Sequence, residues 1–166
     1  MSRAIGELGE QVVARWLTAQ GWKVLAQNWH CRWGELDLVA QRSLSPQPEN
    51  SRSSLNDHGL AFVEVKTRSQ GNWDNDGLLA ITAQKQAKLL KTARLFLAQH
   101  PDLADLPCRF DVALVQYRQY RQPRNSDNLV EKEAAIADPQ AIPVLGQPLN
   151  VGNTELTLTA YLKGAF

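Results

Sequence analysis

The sequence predicts an α/β or α+β domain in which helices pack against a mixed β-sheet. Two segments repeat apolar residues at helical spacing, and several short segments between and after them are rich in β-forming residues. The 166 residues, 43% of them hydrophobic, are enough for one domain with a substantial core. The order helix, strands, helix, strand is typical of helices that cover a central sheet.

The first predicted helix covers residues 3–20. Its apolar side chains recur every three or four positions, which gives the helix one face for burial. Gly21 follows, at a position where glycine commonly ends a helix. The apolar stripe consists of Ile5, Leu8, Val12, Val13, Trp16 and Leu17.

Three strands are predicted next, at 22–28, 35–40 and 60–67. Between the second and third strands lies the polar segment QRSLSPQPENSRSSLNDHG, which contains five serines and two prolines. A loop of this length is unusual inside a compact domain. We therefore interpret 42–59 as a flexible insertion at the tip of a hairpin.

The second predicted helix covers 82–100, where Thr82 can cap the first turn. A fourth strand is predicted at 109–117, and 155–162 alternates as a last strand or an edge hairpin. The proline-containing segment 118–154 is interpreted as a second flexible insertion, so that the whole chain forms a single domain.

The composition limits the location and the partners of the protein. No segment has the roughly 18 consecutive apolar residues needed to span a membrane, and the first ten residues lack the apolar block of a secretory signal. Cys31 and Cys108 lie far apart and are expected to be reduced thiols of a cytoplasmic protein. The net charge is only +1, so any nucleic-acid binding must rely on local basic patches.

An acid and a base lie in the middle of the apolar segment LAFVEVKTR, residues 60–68. Because side chains alternate along a strand, Glu64 and Lys66 share one face with Phe62, and the intervening valines point to the other face. One interpretation is a solvent-exposed sheet face, on which Glu and Lys need no function.

The preceding strand also carries acidic residues. Alternation places Glu35 and Asp37 on one face, with Leu36 and Leu38 toward the core. If the two strands pair as a hairpin, Asp37 lies beside Glu64. Adjacent carboxylates repel each other unless a cation lies between them, and Mg²⁺ is commonly held by one or two carboxylates. The pair therefore predicts a metal site.

Two further residues can contribute to this site. Lys66 projects toward it and can orient or deprotonate a water, or neutralise charge on a phosphate. Glu10 falls beside Leu17 on a helical wheel, at the edge of the buried stripe, from where it can reach the rim of the site. The alternative is that Glu10 is an ordinary residue at the boundary of a buried face.

The segments GELDLVA and FVEVKTR resemble the PD-(D/E)xK nuclease signature, in which Asp on one strand is followed by Glu-x-Lys on the next. More closely, the chain resembles the YraN-like family of small bacterial proteins, which is related to archaeal Holliday-junction resolvases. The likeness extends over GELGEQVVARWL, AQNWHCRWGELDLVA, ITAQKQAKLLKTARLFL, RFDVALV and YLKGAF. It implies a restriction-endonuclease-like fold with a central mixed β-sheet flanked by helices.

The resemblance also implies roles for individual residues. Asp37 and Glu64 correspond to ligands of Mg²⁺ or Mn²⁺, with the backbone carbonyl of Val65 as a third ligand. Glu10 corresponds to a first-helix glutamate that binds the metal directly or through a water. Lys66 corresponds to the lysine that positions the attacking water.

Three positions depart from the family pattern, and one matching position has no assigned role. Leu36 precedes Asp37 where the signature has proline, a departure that is common in this superfamily and costs little. Gln11 stands where resolvases often carry arginine, and His30 where the YraN-like pattern usually has arginine. The last two departures concern the grip on the substrate more than metal binding. Asp111, in RFDV, matches a family position, but the resemblance gives it no role.

Contacts with nucleic acid are predicted for basic residues around the site. Lys85 and Lys88 lie nearest the N-terminus of the second helix, where the helix dipole also favours phosphate. Arg68 directly follows the third strand, and Arg32 precedes the second strand between two tryptophans. A solvated helix face is the alternative explanation for the lysines.

The resulting hypothesis is a Mg²⁺-dependent endonuclease that hydrolyses phosphodiester bonds of DNA, with branched DNA as the substrate that the resemblance suggests. The first alternative is a nucleic-acid-binding or adaptor protein that has the nuclease fold without significant turnover. The second is an interaction domain whose charged strand face is exposed to solvent. Related resolvases act as dimers, so a homodimer is a further expectation.

Overall fold

The computed structural model describes residues 3–43, 58–70, 81–120 and 141–166. Within these ranges the helices are α1 (Arg3–Ala19) and α2 (Ala83–Gln99), with one turn of 3-10 helix at Pro101–Leu103. The strands are β1 (Lys23–Cys31), β2 (Gly34–Arg42), β3 (Gly59–Ser69), β4 (Cys108–Gln119), β5 (Pro148–Val151) and β6 (Thr154–Leu162).

The six strands form one mixed sheet in the order β1-β2-β3-β4-β6-β5. Strands β3 and β4 are parallel, and all other neighbours are antiparallel. Parallel neighbours require a crossover connection, and the segment that contains α2 provides it. The predicted α/β architecture, a central mixed sheet flanked by helices, is therefore confirmed.

The two helices cover opposite faces of the sheet, which divides the core into two layers. The layer under α1 includes Val12, Val13, Leu17, Leu38, Val63 and Leu158. The layer under α2 includes Leu36, Phe62, Leu89, Ala93 and Phe96. In the described part of the chain, neither helix is long and apolar enough to cross a membrane.

The predicted elements agree in type with the observed ones and differ by a few residues at their ends. Strand β5 is absent from the prediction because Pro148 and Asn150 are poor β-formers. It pairs with β6, so the C-terminal strand belongs to an edge hairpin. The predicted insertions fall largely on 44–57 and 121–140, which lie outside the described residues.

A glycine allows α1 to approach β3 closely. A Cβ atom on Gly9 would lie 2.1 Å from Oγ1 of Thr67 and 3.3 Å from its Cβ, which is too close for two non-bonded atoms. Thr67 is itself buried. This contact fixes the helix against the strand and brings Glu10, the next residue, toward the acidic residues of β2 and β3.

Asp111 anchors the C-terminal segment to the core. Its carboxylate is fully buried and accepts hydrogen bonds from Arg109 Nε at 3.0 and 3.1 Å. The hydroxyl of Tyr161 donates to it at 2.7 Å, and the backbone N–H of Gly164 at 2.9 Å. A buried carboxylate needs such partners, and the structure therefore gives Asp111 a role in stability.

Candidate active site

Asp37 lies where strands β2 and β3 separate. Their antiparallel ladder ends at the pair Leu38–Val63, and continuing the register by one residue sets Asp37 beside Glu64. Beyond the ladder, the backbone N–H of Val65 donates to Oδ2 of Asp37 at 2.7 Å. The hairpin pairing predicted from the sequence is confirmed, and it brings the two carboxylates together.

The regular alternation predicted for β2 is wrong at Asp37. Leu36 packs in the layer under α2, whereas Leu38 packs in the layer under α1. In the neighbouring strand β1, the backbone is also irregular opposite Asp37, where Asn28 has a left-handed φ of 50°. As a result Glu35 is exposed, whereas Asp37 is buried with 8% exposure.

Alternation along β3 is as predicted. Phe62 packs under α2, and Glu64 and Lys66 follow on the same face. Nζ of Lys66 donates to Oε1 of Glu64 at 2.8 Å. Because Glu64 is only 6% exposed and Asp37 only 8%, a solvated sheet face does not explain these two acids.

A second lysine reaches the same carboxylate. Lys85 lies in the first turn of α2. The hydroxyl of Thr82 caps this end of the helix by accepting a hydrogen bond from the backbone N–H of Lys85 at 3.3 Å. Its ammonium forms an ion pair with Oε1 of Glu64. Sequence spacing predicted only a phosphate contact for Lys85, because nothing in the spacing shows how α2 lies over β3.

Three of the charged side chains at this site, those of Asp37, Lys66 and Lys85, have shifted pKa values. Burial, and then the charge of Glu64, raises the pKa of Asp37 to about 7. Burial lowers the pKa of Lys66 and outweighs the effect of its ion pair. Burial would also lower the pKa of Lys85, but the hydrogen bond and charge of Glu64 raise it. Lys66 is therefore the better proton donor or acceptor, and Lys85 the more permanent cation.

Glu10 lies at the rim of this group. Its Oε2 accepts a hydrogen bond from Nδ2 of Asn28 at 2.6 Å. Burial raises the pKa of Glu10, against the effect of Asn28, and neighbouring acids, including Glu64, raise it further. Its charge in turn raises the pKa of Asp37. Glu10 is thus close enough to interact with Asp37 electrostatically.

The residues fit a metal ion held by two protein carboxylates. Among the described ranges, no three His, Cys, Asp or Glu side chains converge closely enough to hold an ion by themselves. Mg²⁺ does not need such a set, since it usually takes one or two carboxylates and completes its shell with waters and substrate phosphate. The repulsion between Asp37 and Glu64 is what a divalent cation would relieve.

A cleft of about 430 Å³ opens next to Glu64, between α2 and the β1–β2 turn. Lys85 and Lys88 both line it, and their role in phosphate binding stays a prediction. The described residues around it are His30, Cys31, Gly34, Glu35, Glu64, Thr82, Gln84, Lys85, Lys88, Leu89 and Thr92.

The two predicted arginine contacts lie outside this cleft lining. Arg68 is exposed on β3, two residues beyond Lys66. Arg32 is exposed in the β1–β2 turn, with its guanidinium 4.9 Å from the ring centre of Trp33. The ammonium of Lys91 lies 5.4 Å from the same ring centre. The 45% exposed indole is therefore part of a basic surface beside the cleft.

Comparison with known proteins identifies the family. The protein-family model described as "Uncharacterised protein family UPF0102" matches residues 9–115 of the sequence. The chain is 47% identical to a UPF0102 protein of Acaryochloris marina over 162 residues, 98% of this chain and 89% of the relative. It is 45% identical to one of Trichodesmium erythraeum over 161 residues, 97% and 87%, and 40% identical to one of Synechocystis sp. over 162 residues, 98% and 97%. The names of these relatives state a family and no activity. The chain belongs to the UPF0102 family, the YraN-like family that its motifs resemble.

Proposed function

We propose that this protein is a metal-dependent endonuclease of the restriction-endonuclease-like superfamily, which hydrolyses phosphodiester bonds of DNA. One observation carries the proposal: Asp37 and Glu64 are buried side by side where β2 and β3 separate, and Lys66 is bonded to Glu64. The mixed sheet with a helix on each face is in agreement with that superfamily.

Each charged group has a task in such a reaction. Asp37 and Glu64 would hold Mg²⁺ or Mn²⁺. When bound, such an ion stabilises negative charge on phosphate oxygens and makes water more acidic. Lys66 lies beside the carboxylates, and burial lowers its pKa. Its amino group is placed to orient the attacking water and to stabilise negative charge on the phosphate.

The cleft is suited to hold the substrate backbone. Lys85 and Lys88 provide positive charge along one wall, and a phosphate backbone is bound mainly through such charges. The exposed Arg32 and Trp33 extend this surface beyond the cleft. An aromatic ring flanked by cations is a surface on which an unpaired base can stack, which favours branched or single-stranded DNA over a plain duplex.

The test is a cleavage assay with matched variants. Purified protein is incubated with linear duplex, single-stranded and four-way-junction DNA in Mg²⁺ or Mn²⁺. We expect cleavage by the wild type, none by Asp37→Asn, and a rate at least about a hundredfold lower for Lys66→Met. Asp105→Asn is the control, because it removes an exposed acid that does not line the cleft, and it should cleave like the wild type.

Three other outcomes would contradict the proposal. Binding of DNA without cleavage under every metal condition would favour a nucleic-acid-binding or adaptor protein. Cleavage that persists in Asp37→Asn would show that the activity arises elsewhere or from a contaminant. Absence of both binding and cleavage would contradict both nucleic-acid hypotheses and would leave an interaction domain, although one whose two acids are buried and not exposed to solvent.

A further inference from the structure

Two ammonium groups from different elements meet at one carboxylate oxygen. Lys66, from β3, lies 2.8 Å from Oε1 of Glu64, and Lys85, from α2, forms an ion pair with the same atom. Asp37 adds its negative charge, which acts on Lys85. Two acids and two bases thus balance one another in the protein without a metal ion.

The two lysines differ in how easily they can leave Glu64. The Lys66 side chain is 23% exposed and shares the strand face with Glu64, whereas the Lys85 side chain is 40% exposed and lines the cleft. A lysine ammonium on a flexible four-carbon stem can turn into solvent by rotating side-chain bonds. Lys85 can therefore move into the cleft without any change in the backbone, and the position of Lys66 is the more constrained.

A divalent cation on Glu64 would share one carboxylate with both ammonium groups. Like charges at such short separations repel strongly where water is partly excluded. The more exposed ammonium is the one that can relieve the repulsion by moving. This consequence depends on the proposed metal site at Asp37 and Glu64.

We propose that the ammonium of Lys85 competes with the metal ion for Glu64, so that metal binding moves Lys85 from the carboxylate into the cleft. Lys85 then has two positions. It neutralises Glu64 in the metal-free protein and adds its charge to the cleft when the ion is bound. Lys66 keeps its place on β3 in both states.

The first test is calorimetric titration of the purified protein with MnCl₂. We expect Lys85→Met to bind Mn²⁺ about tenfold more tightly than the wild type, which corresponds to about 1.4 kcal/mol. Lys88→Met is the matched control, since it removes the same charge from the same helix and cleft, and it should stay within about twofold of the wild type. Asp37→Asn should bind more weakly.

These variants separate the inference from the metal site on which it depends. Equal Mn²⁺ affinity of Lys85→Met and the wild type, with weaker binding by Asp37→Asn, would overturn the competition and keep the metal site. An equal gain in Lys88→Met would overturn it too, since only the net charge would then matter. Binding by Asp37→Asn as tight as that of the wild type, or no binding by any variant, would overturn both.

The second test follows the ammonium itself. In protein labelled with ¹⁵N at the lysine side chains, the Nζ signal of Lys85 should change when Mg²⁺ is added and lose the features of an ion-paired ammonium. The Nζ signal of Lys88 should change much less. A Lys85 signal that stays unchanged at saturating Mg²⁺ would overturn the displacement, whatever the affinities show.

Discussion

The substitution Asp37→Asn should stabilise the metal-free protein at neutral and alkaline pH. Burial and the charge of Glu64 raise the pKa of Asp37 from 3.8 to about 7. Between these values the folded chain keeps a proton that the unfolded chain releases. The free energy of unfolding therefore falls as pH rises through this window, and the loss is complete above about pH 7.

The size of the effect follows from the same values. The rise in the pKa of Asp37 from 3.8 to about 7 limits the loss of unfolding free energy to about 4 kcal/mol, at roughly 1.4 kcal/mol per pH unit. Part of the repulsion between Asp37 and Glu64 is relieved when the neighbouring lysine side chains move. We therefore expect a loss of about half this limit, or about 2 kcal/mol. Asparagine keeps the shape of the side chain and an oxygen for the Val65 N–H, so little is lost in exchange.

The assay is urea unfolding followed by tryptophan fluorescence, in EDTA at pH 5 and pH 8. Asp37→Asn should exceed the wild type in unfolding free energy by about 2 kcal/mol at pH 8 and by clearly less at pH 5. Glu35→Gln, which alters an exposed acid on the same strand, should change neither value. An Asp37→Asn protein less stable than the wild type at pH 8, or a difference independent of pH, would refute the reasoning. Adding Mg²⁺ should narrow the gap at pH 8, because only the wild type keeps both carboxylates for the ion.

Three further predictions concern the surroundings of the site. Gly9→Ala should destabilise the protein by about 1–3 kcal/mol in urea unfolding through its overlap with Thr67 Oγ1, and Thr67→Ala should recover part of that loss; additive effects would contradict the overlap. Asp111→Asn should cost about 3 kcal/mol, since it breaks a buried ion pair, and a loss below about 1 kcal/mol in the same assay would show that this anchor is dispensable. Glu10→Gln should lower the pKa of Asp37 in a carboxyl ¹³C NMR titration, because the charge of Glu10 raises it; an unchanged titration would place Glu10 too far away to act.

Much of the fold was predictable because it follows from local patterns. The helical stripe of α1 and the alternation of Phe62, Glu64 and Lys66 on β3 depend only on the periods of a helix and a strand. The hairpin of β2 and β3 follows from their order in the chain. Strand β5 was not predicted because Pro148 and Asn150 are poor β-forming residues, and its pairing with β6 is a tertiary effect.

The sequence by itself determined which residues can form the site. An acid on one strand and Glu-x-Lys on the next fix the types and the order of the groups, since side-chain period and strand pairing are local properties. It could not give the face switch between Leu36 and Leu38, because regular alternation along a single strand does not contain it.

Only the tertiary structure placed Lys85 on Glu64 and joined Asp111 to the C-terminal segment. Both contacts link residues far apart in sequence, 21 positions in the first case and up to 53 in the second. No period in the sequence encodes how a helix lies over a strand or where a chain end returns. That arrangement comes from burying two apolar layers on opposite faces of one sheet, and the charged groups of the site take the positions that this packing leaves them.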